Sequence, residues 1–211
     1  MIKLEKVVTP SGTQWDSIIC GARNPMNSWD RSDSVFFEGG YSLGLHDIDL
    51  MKRLRDAGTD HRKFMRMIIV YVDITAPLYW WKEFDTYKVG TVANSCSTMH
   101  KIHDKEFTLE DFSHEHMNKY SLNVLKEVIR QMNYCRNEYL SSDDKDLWWQ
   151  MIQLLPTSYN QLRTVMLNYE VLANMYKSRK NHKLDEWHDF CDWIESLPYS
   201  ELITGEEKNN A

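Results

Sequence analysis

The segment Thr91–Thr98 reads Thr-Val-Ala-Asn-Ser-Cys-Ser-Thr and is rich in hydroxyl and amide groups. Such groups, together with free backbone N–H donors, hydrogen-bond phosphates and the edges of heterocycles without carrying net charge. The longer stretch Gly90–Thr98 has no helical or strand periodicity. We therefore expect a shaped loop that binds a ligand, with an ordinary polar loop as the alternative.

Two clusters upstream of this segment also have side chains suited to a ligand. His61, Arg62 and Lys63 precede an apolar run, where they either hold a phosphate or form a solvated helix face. Trp80 and Trp81, with Phe84 and Tyr87 nearby, form either part of the core or a platform for a planar ring such as a flavin. The sequence alone leaves both pairs of alternatives open.

Nucleophilic and metal chemistry have weaker support. Cys96 needs a nearby base or cation to become a thiolate, and no sequence rule places one in contact with it. No Gly-x-Ser-x-Gly elbow is present, so the catalytic residue stays unassigned. Four histidines lack a carboxylate or cysteine at the spacing of a metal site, so we expect no metal: His100, His103, His114 and His116.

The composition excludes several classes of partner. The net charge is −6, the pI is near 5.7 and the 25 Lys and Arg are dispersed, so we expect no nucleic-acid partner. Apolar runs such as Met67–Val72 are far shorter than the ~20 residues of a membrane span, and the first residues lack the apolar region of a signal peptide. We expect a cytoplasmic protein without a membrane partner, whose four separated cysteines are reduced thiols.

Hydrophobic periodicity and turn residues predict mixed elements in the first half of the chain. The first forty residues carry many loop signals and only short strand-like pieces. Ile68–Thr75 is β-branched and typical of a buried strand. The predicted elements are strands at Leu4–Val8, Ser34–Phe37 and Ile68–Thr75, and helices at Asp47–Ala57, Asp60–Arg66 and Leu78–Asp85.

The second half is predicted to be helical. A start resembling a capping box at Thr108 is followed by an apolar stripe to about Leu140. Further helices are predicted at Lys145–Leu154, Tyr159–Ser178 and Leu184–Ser196. Because strands come first and long helices later, we expect an α+β arrangement. We expect a single domain over residues 1–203 and a polar tail over residues 204–211.

The chain resembles the flavin-dependent thymidylate synthases at a series of spaced positions. That family has Ala-Pro, then Arg-Gln, an Arg-His-Arg triplet and a loop Ser-x-Asn-Glu-x-Ser-x-Arg-Tyr. Farther along it has Leu-Pro, an Asn, and an Arg about eleven residues after that Asn. The matching positions here are Ala76-Pro77, Lys82-Glu83, Asn94–His100, Leu155-Pro156, Asn168 and Arg179.

The resemblance implies a central sheet flanked by long helices, a homotetramer and a role in pyrimidine metabolism. Members pass hydride from reduced nicotinamide to FAD and transfer a methylene group from methylenetetrahydrofolate to dUMP, which gives dTMP. The resemblance implies nucleotide contacts by Asn94, Ser95, Ser97 and Arg179. It places FAD near Lys82, Glu83, Tyr87 and Lys88, with His61 and Arg62 as further candidates.

The departures from the family pattern lead to an alternative. Thr86-Tyr87-Lys88 stands where the family has Arg-His-Arg, while Ser95 and Met99 replace a Glu and an Arg. Each charge-assisted contact is worth roughly 1.5–3 kcal/mol, so we expect weaker flavin binding than in the family. The alternatives are a diverged nucleotide- or flavin-binding relative without thymidylate synthase activity, and a helical assembly protein without either ligand.

Overall fold

The computed structural model describes residues 2–205, so most of the predicted polar tail, residues 206–211, lies outside the described residues. The strands are β1 (Lys3–Val8), β2 (Val35–Phe37), β3 (Gly40–Ser42), β4 (Ile69–Pro77), β5 (Thr91–Ser95) and β6 (Asn160–Asn168). The helices are α1 (Gly12–Arg23), α2 (Leu45–Asp56), α3 (Leu78–Phe84), α4 (Thr98–Lys101), α5 (Lys119–Ser142), α6 (Lys145–Leu154), α7 (Tyr169–Arg179), α8 (Asp185–Ser196) and α9 (Glu201–Thr204).

Four strands form one sheet in the order β1-β4-β6-β5, and β2 and β3 form a separate antiparallel hairpin. Strands β4 and β6 run antiparallel, because hydrogen bonds join opposite ends of the two. The N–H of Tyr169 donates to the carbonyl of Ile68 at 3.1 Å, and the N–H of Leu78 donates to the carbonyl of Tyr159 at 3.0 Å. A helix-rich chain around a central antiparallel sheet confirms the predicted α+β class.

The described chain divides into two compact units. Unit 1 contains residues 2–3, Ile74–Thr86 and Asn94–Arg163, and unit 2 contains Leu4–Asp73, Tyr87–Ala93 and residues 164–205. The single domain over residues 1–203 stays a prediction.

The core of unit 1 lies between α5 and α6. Helix α5 buries Leu125, Ile129, Met132 and Cys135 at helical spacing, and α6 contributes the fully buried Met151. Asn118 caps α5 by accepting from the N–H groups of Tyr120 and Ser121, which satisfies two donors of its first turn. Helix α3 adds three large aromatic side chains to the buried part of the unit: Trp80, Trp81 and Phe84.

Unit 2 contains a buried ion pair between α1 and α2. The Arg23 Nε on α1 lies 2.6 Å from the Asp47 carboxylate on α2, and both side chains are almost completely buried. Burial alone would raise the pKa of Asp47, but hydrogen bonds from Ser34, Ser32 and Arg23 outweigh it and hold the pKa below its usual value. Because the charge is both paired and hydrogen-bonded, it can stay ionised inside the unit.

Several predicted elements are confirmed and others are wrong. Helix α6 has the predicted bounds, and α2 ends before Gly58, whose φ of +104° suits a residue without a side chain. The capping box at Thr108 is present but opens a short 3₁₀ turn, Leu109–Asp111, and α5 begins only at Lys119.

Two predicted elements are wrong and one helix is not predicted, each for a physical reason. The loop predicted over Gly90–Thr98 contains strand β5, an edge strand whose side chains are mostly exposed and therefore give no burial pattern. The first half of the helix predicted at Tyr159–Ser178 is strand β6, because its apolar residues fit both periods. Helix α1 was not predicted, since its glycines read as loop signals.

In residues 2–205, no helix has the length and apolar character that crossing a membrane requires.

Candidate functional site

The candidate site residues fall in both units, and each group is described within its own unit. In unit 1, the aromatic helix α3 belongs to the core. Trp80 and Trp81 are fully buried, so neither ring is an open platform for a planar ligand. The Trp81 Nε1 donates to the carbonyl of Gln161 at 3.0 Å, which ties α3 to the start of β6. The structure thus favours the core alternative for these rings.

The backbone of unit 1 holds the segment after β5 at two atoms of Cys96. The Cys96 N–H donates to the carbonyl of Leu162 at 2.9 Å, and the Cys96 carbonyl accepts from the Gln161 side-chain amide, also at 2.9 Å. Ser97 then caps the short helix α4 by accepting from the N–H of His100 at 3.0 Å. The segment is therefore ordered although most of its side chains are exposed.

A cavity of about 330 Å³ opens beside this segment in unit 1. Its lining includes Cys96, Ser97, Lys105, Tyr159 and Gln161. Burial raises the pKa of Tyr159, so its phenol keeps the proton and can donate a hydrogen bond at neutral pH. The lining thus offers thiol, hydroxyl and amide groups to a small polar ligand. Glu110 and Asp111 also line the cavity, and the Asp111 carboxylate pairs with the Lys105 ammonium.

In unit 2, the structure brings two predicted site residues into contact. The Arg179 Nε donates to the Tyr87 hydroxyl at 2.9 Å, and the guanidinium carbon lies 4.7 Å from the centre of the Trp187 ring. Arg179 is half-buried at the end of α7. A planar cation held by a phenol and an indole has a fixed orientation, which suits it to bind a phosphate or carboxylate.

Unit 2 has a cavity of about 560 Å³, which is lined in part by Arg62, another predicted site residue. The lining includes the cations Arg55, Arg62, Lys177 and Lys180 and the carboxylate of Asp56. Arg62 and Arg66 both contact Glu170 at the start of α7. The hydrogen bond and charge of Arg66, with a smaller contribution from Arg62, lower the pKa of Glu170, so this carboxylate is ionised at neutral pH. The excess of cations around the cavity favours an anionic ligand.

Gly90 and Asn168 are in close contact in unit 2. Gly90 has a φ of +85°, and a side-chain carbon added to it would lie 2.6 Å from the Asn168 Nδ2. The Asn168 Oδ1 accepts from the N–H of Val171 at 2.9 Å and so caps α7, the helix that carries Arg179. A glycine is required here by both the backbone angle and the space.

The remaining predicted site residues lie on the surface of their units. In unit 1, Asn94 and Ser95 are exposed on β5, Lys82 is exposed on α3, and the neighbouring Glu83 is half-buried. In unit 2, His61 and Lys88 are exposed. Their roles as ligand contacts stay predictions.

Some residues of these sites were missed by the sequence analysis. Gln161 and Arg163 were assigned to a helix, although Val165, Leu167 and Tyr169 alternate as buried positions and indicate a strand. The cations that line this cavity with Arg62 come from two other segments, α2 and the end of α7, so only the fold brings them together. Within residues 2–205, no group of three or more His, Cys, Asp or Glu side chains is placed to hold a metal ion.

The fold and these sites define an α+β protein with a polar cavity in unit 1 and a cation-rich cavity in unit 2, of which the second suits a small anionic ligand. No protein-family model matches the sequence, and no curated protein matches it either. Among solved structures, the flavin-dependent thymidylate synthase ThyX from Helicobacter pylori, complexed with FAD and dUMP, has a TM-score of 0.68 at 16% identity. That alignment covers 97% of this chain and 98% of the other.

Two further structures have the same fold. A second structure of the Helicobacter pylori enzyme with FAD and dUMP has a TM-score of 0.67 at 16% identity and covers 97% of both chains. The UMP/dUMP methylase PolB from Streptomyces cacaoi, bound with 5-Br dUMP, has a TM-score of 0.58 at 12% identity, with 93% of this chain and 88% of the other covered. The chain therefore has the flavin-dependent thymidylate synthase fold, which confirms the resemblance at that level.

Proposed function

We propose that this protein binds a pyrimidine nucleotide and a flavin in the manner of a diverged flavin-dependent thymidylate synthase. The observation that carries the proposal is the contact of Arg179 with Tyr87 and Trp187 in unit 2, on a fold shared with proteins complexed with FAD and dUMP. Arg179 is the residue that the resemblance assigns to the nucleotide. Its fixed guanidinium can pair with a phosphate through two parallel hydrogen bonds.

In unit 1, Ser97 and its neighbours Asn94 and Ser95 supply hydroxyl and amide groups for the ribose, the phosphate or the base edge. The hydrogen bonds at both backbone atoms of Cys96 support this role, because a fixed loop loses little conformational entropy when a ligand binds. We assign no catalytic residue. The role of the chain is to orient the reactants and to bind the nucleotide phosphate with a cation.

The cationic cavity of unit 2 fits a flavin dinucleotide by its charge. Arg62 and its neighbours Arg55, Lys177 and Lys180 can bind a diphosphate, whereas Thr86 adds no charge at the position where the family has an Arg. The resemblance separately assigns flavin contacts to His61, Tyr87 and Lys88 in unit 2, and to Lys82 and Glu83 in unit 1. When bound, FAD would accept a hydride from reduced nicotinamide, and the reduced flavin would supply the hydride that reduces the one-carbon group transferred from methylenetetrahydrofolate.

The experiment is mass spectrometry of the ligands released from purified protein, followed by titration of the ligand-free protein with FAD. We expect a uridine nucleotide, FAD or both to be released, and an FAD affinity that falls as salt is added, since phosphate contacts by surface cations are screened. Release of neither ligand, together with no binding of FAD or dUMP, would refute the proposal. A nucleotide without FAD would favour the alternative of a nucleotide-binding relative without synthase activity.

The resemblance also leads us to propose a cytoplasmic homotetramer. A tetramer of the 25.1 kDa chain has a mass of about 100 kDa, which light scattering measures directly. A single species near the mass of one chain would exclude this assembly.

A further inference from the structure

We propose that Gln161 and Arg163, two residues of β6, are positioning residues that fix the loop after β5, Cys96 and Ser97, in its ligand-binding conformation. The inference rests on the proposed function, because that function assigns the nucleotide to Asn94, Ser95 and Ser97. Neither residue belongs to the set that the resemblance identifies. Both lie in unit 1 with the loop that they hold.

The first contact is between the Gln161 side chain and the loop backbone. Gln161 is buried, at 8% exposure, and its Nε2 donates to the Cys96 carbonyl at 2.9 Å. Cys96 directly precedes Ser97, so this bond sets the direction in which the chain enters α4. The Cys96 N–H donates to the Leu162 carbonyl. Hydrogen bonds therefore hold the peptide groups on both sides of Cys96.

The second contact determines how the Gln161 amide is oriented. The Arg163 Nε donates to the Gln161 Oε1 at 3.0 Å. A guanidinium has N–H donors and no acceptor, so the amide oxygen must face Arg163 and the amide NH₂ must face the Cys96 carbonyl. Without Arg163, the amide could rotate and place its oxygen against that carbonyl.

The third contact fixes Arg163 itself. Its Nη1 donates to the Asp85 carboxylate at 2.7 Å, and its guanidinium carbon lies 4.2 Å from the centre of the buried Trp81 ring. Trp81 also donates to the Gln161 carbonyl. These contacts form a connected chain from Asp85 through Arg163 and Gln161 to the loop, and each side chain in it has a defined orientation.

The test compares Gln161→Met, which removes both side-chain hydrogen bonds, with Gln161→Glu, which keeps an acceptor for Arg163 but cannot donate to Cys96. Amide hydrogen exchange at Cys96 is measured by NMR, with the Tyr79 amide of the same unit as the internal reference. That amide donates to the Thr157 carbonyl and has no bond to Cys96 or to the Gln161 side chain among the backbone hydrogen bonds of unit 1. We expect the protection of the Cys96 amide to fall by about 3- to 10-fold relative to Tyr79 in both variants.

Thermal unfolding separates positioning from a merely structural role. Gln161→Glu strengthens the pairing with Arg163, so its melting temperature should equal or exceed that of Gln161→Met while the loop is still loosened. Arg163→Met should lower the Cys96 protection as well, and Arg163→Lys should restore part of it by keeping the charge beside Asp85. Arg130→Gln is the control, because Arg130 pairs with the exposed Glu127 on the same helix, α5.

Titration with dUMP completes the experiment. We expect about 3- to 10-fold weaker binding by Gln161→Glu than by the unmodified protein and no change in Arg130→Gln. Unchanged Cys96 protection in both Gln161 variants would overturn the positioning role. Lower protection with unchanged dUMP affinity would overturn the link to the ligand. Lower protection in a protein that never binds dUMP would refute the proposed function and leave the positioning of the loop established.

Discussion

At the level of single side chains, the contacts of Arg179 with Tyr87 and Trp187 can be separated from the nucleotide-binding role that we propose for it. Truncation to Ala removes its hydrogen bond to Tyr87 and its stacking on Trp187. We expect about 1–2 kcal/mol of lost folding stability from these two contacts. If the guanidinium also binds a phosphate, dUMP binding should weaken by roughly 30- to 150-fold.

The control for Arg179→Ala is Tyr87→Phe. This variant loses the hydrogen bond of about 0.5–1.5 kcal/mol but keeps the cation, so it should lose stability and retain most of the dUMP affinity. Urea unfolding and calorimetry measure the two quantities. Equal dUMP affinity in Arg179→Ala and the unmodified protein would remove Arg179 from the nucleotide site.

Glu170 makes the stability of unit 2 depend on pH. Its pKa is lowered from 4.5 by Arg66 and Arg62, so its contribution to stability is present above pH 4.5 and is lost as the pH falls through the lowered pKa. We expect Glu170→Gln to be less stable than the unmodified protein at pH 7. The difference should shrink steadily between about pH 5 and pH 3.

Urea unfolding at pH 7, 5, 4 and 3 measures this difference directly. The matched control is Glu127→Gln, which breaks the exposed pair with Arg130 and should change stability by less than about 1 kcal/mol at each pH. A gap between Glu170→Gln and the unmodified protein that stays constant with pH would show that the carboxylate charge is not what stabilises this contact.

At the level of elements, the sequence predicts those whose side chains are buried on one face. Strand β4 has Val70, Val72, Ile74 and Ala76 buried, and the alternation is visible in the sequence. Strand β5 is held mainly by backbone hydrogen bonds at the edge of the sheet. Such bonds can form with almost any residue type, so the sequence does not predict them. The candidate loop was therefore identified by its composition, but its strand and its contacts with Gln161 were not.

Helix α1 shows a different kind of failure. The chain has a capping box, in which Ser11 and Gln14 bond each other's backbone N–H, and buried residues follow at Trp15, Ile18 and Ala22. Both signals are present in the sequence. Gly12 and Gly21 nevertheless favour a loop in the sequence pattern, whereas in the structure both glycines lie within the helix, and Gly21 lies against Met67.

Gly90 directly precedes β5 and lies against Asn168, the residue that caps α7. An Ala at this position would have to adopt a left-handed backbone angle and would displace the Asn168 side chain that caps the helix. We expect Gly90→Ala to cost about 1–3 kcal/mol of folding stability, measured by urea unfolding. Asn168→Ala, which removes the cap alone, should cost about 1 kcal/mol. A Gly90→Ala variant as stable as the unmodified protein would show that neither strain nor crowding acts at Gly90.

For the whole molecule, a ligand that binds only the folded chain raises the melting temperature. At a concentration of 100 times its Kd, dUMP should add about 2.7 kcal/mol of stability. For a chain of 211 residues, each kcal/mol corresponds to roughly 2–4 °C, so we expect a shift of about 5–11 °C.

Uridine is the matched ligand for this measurement because it has a uracil base but no phosphate. If Arg179 recognises the phosphate, uridine at the same concentration should shift the melting temperature by much less than dUMP, and Arg179→Ala should reduce the dUMP shift toward the uridine value. Equal shifts with both ligands would mean that the base and sugar carry the recognition. Binding energy would then come from the hydroxyl and amide groups of Asn94, Ser95 and Ser97 rather than from Arg179.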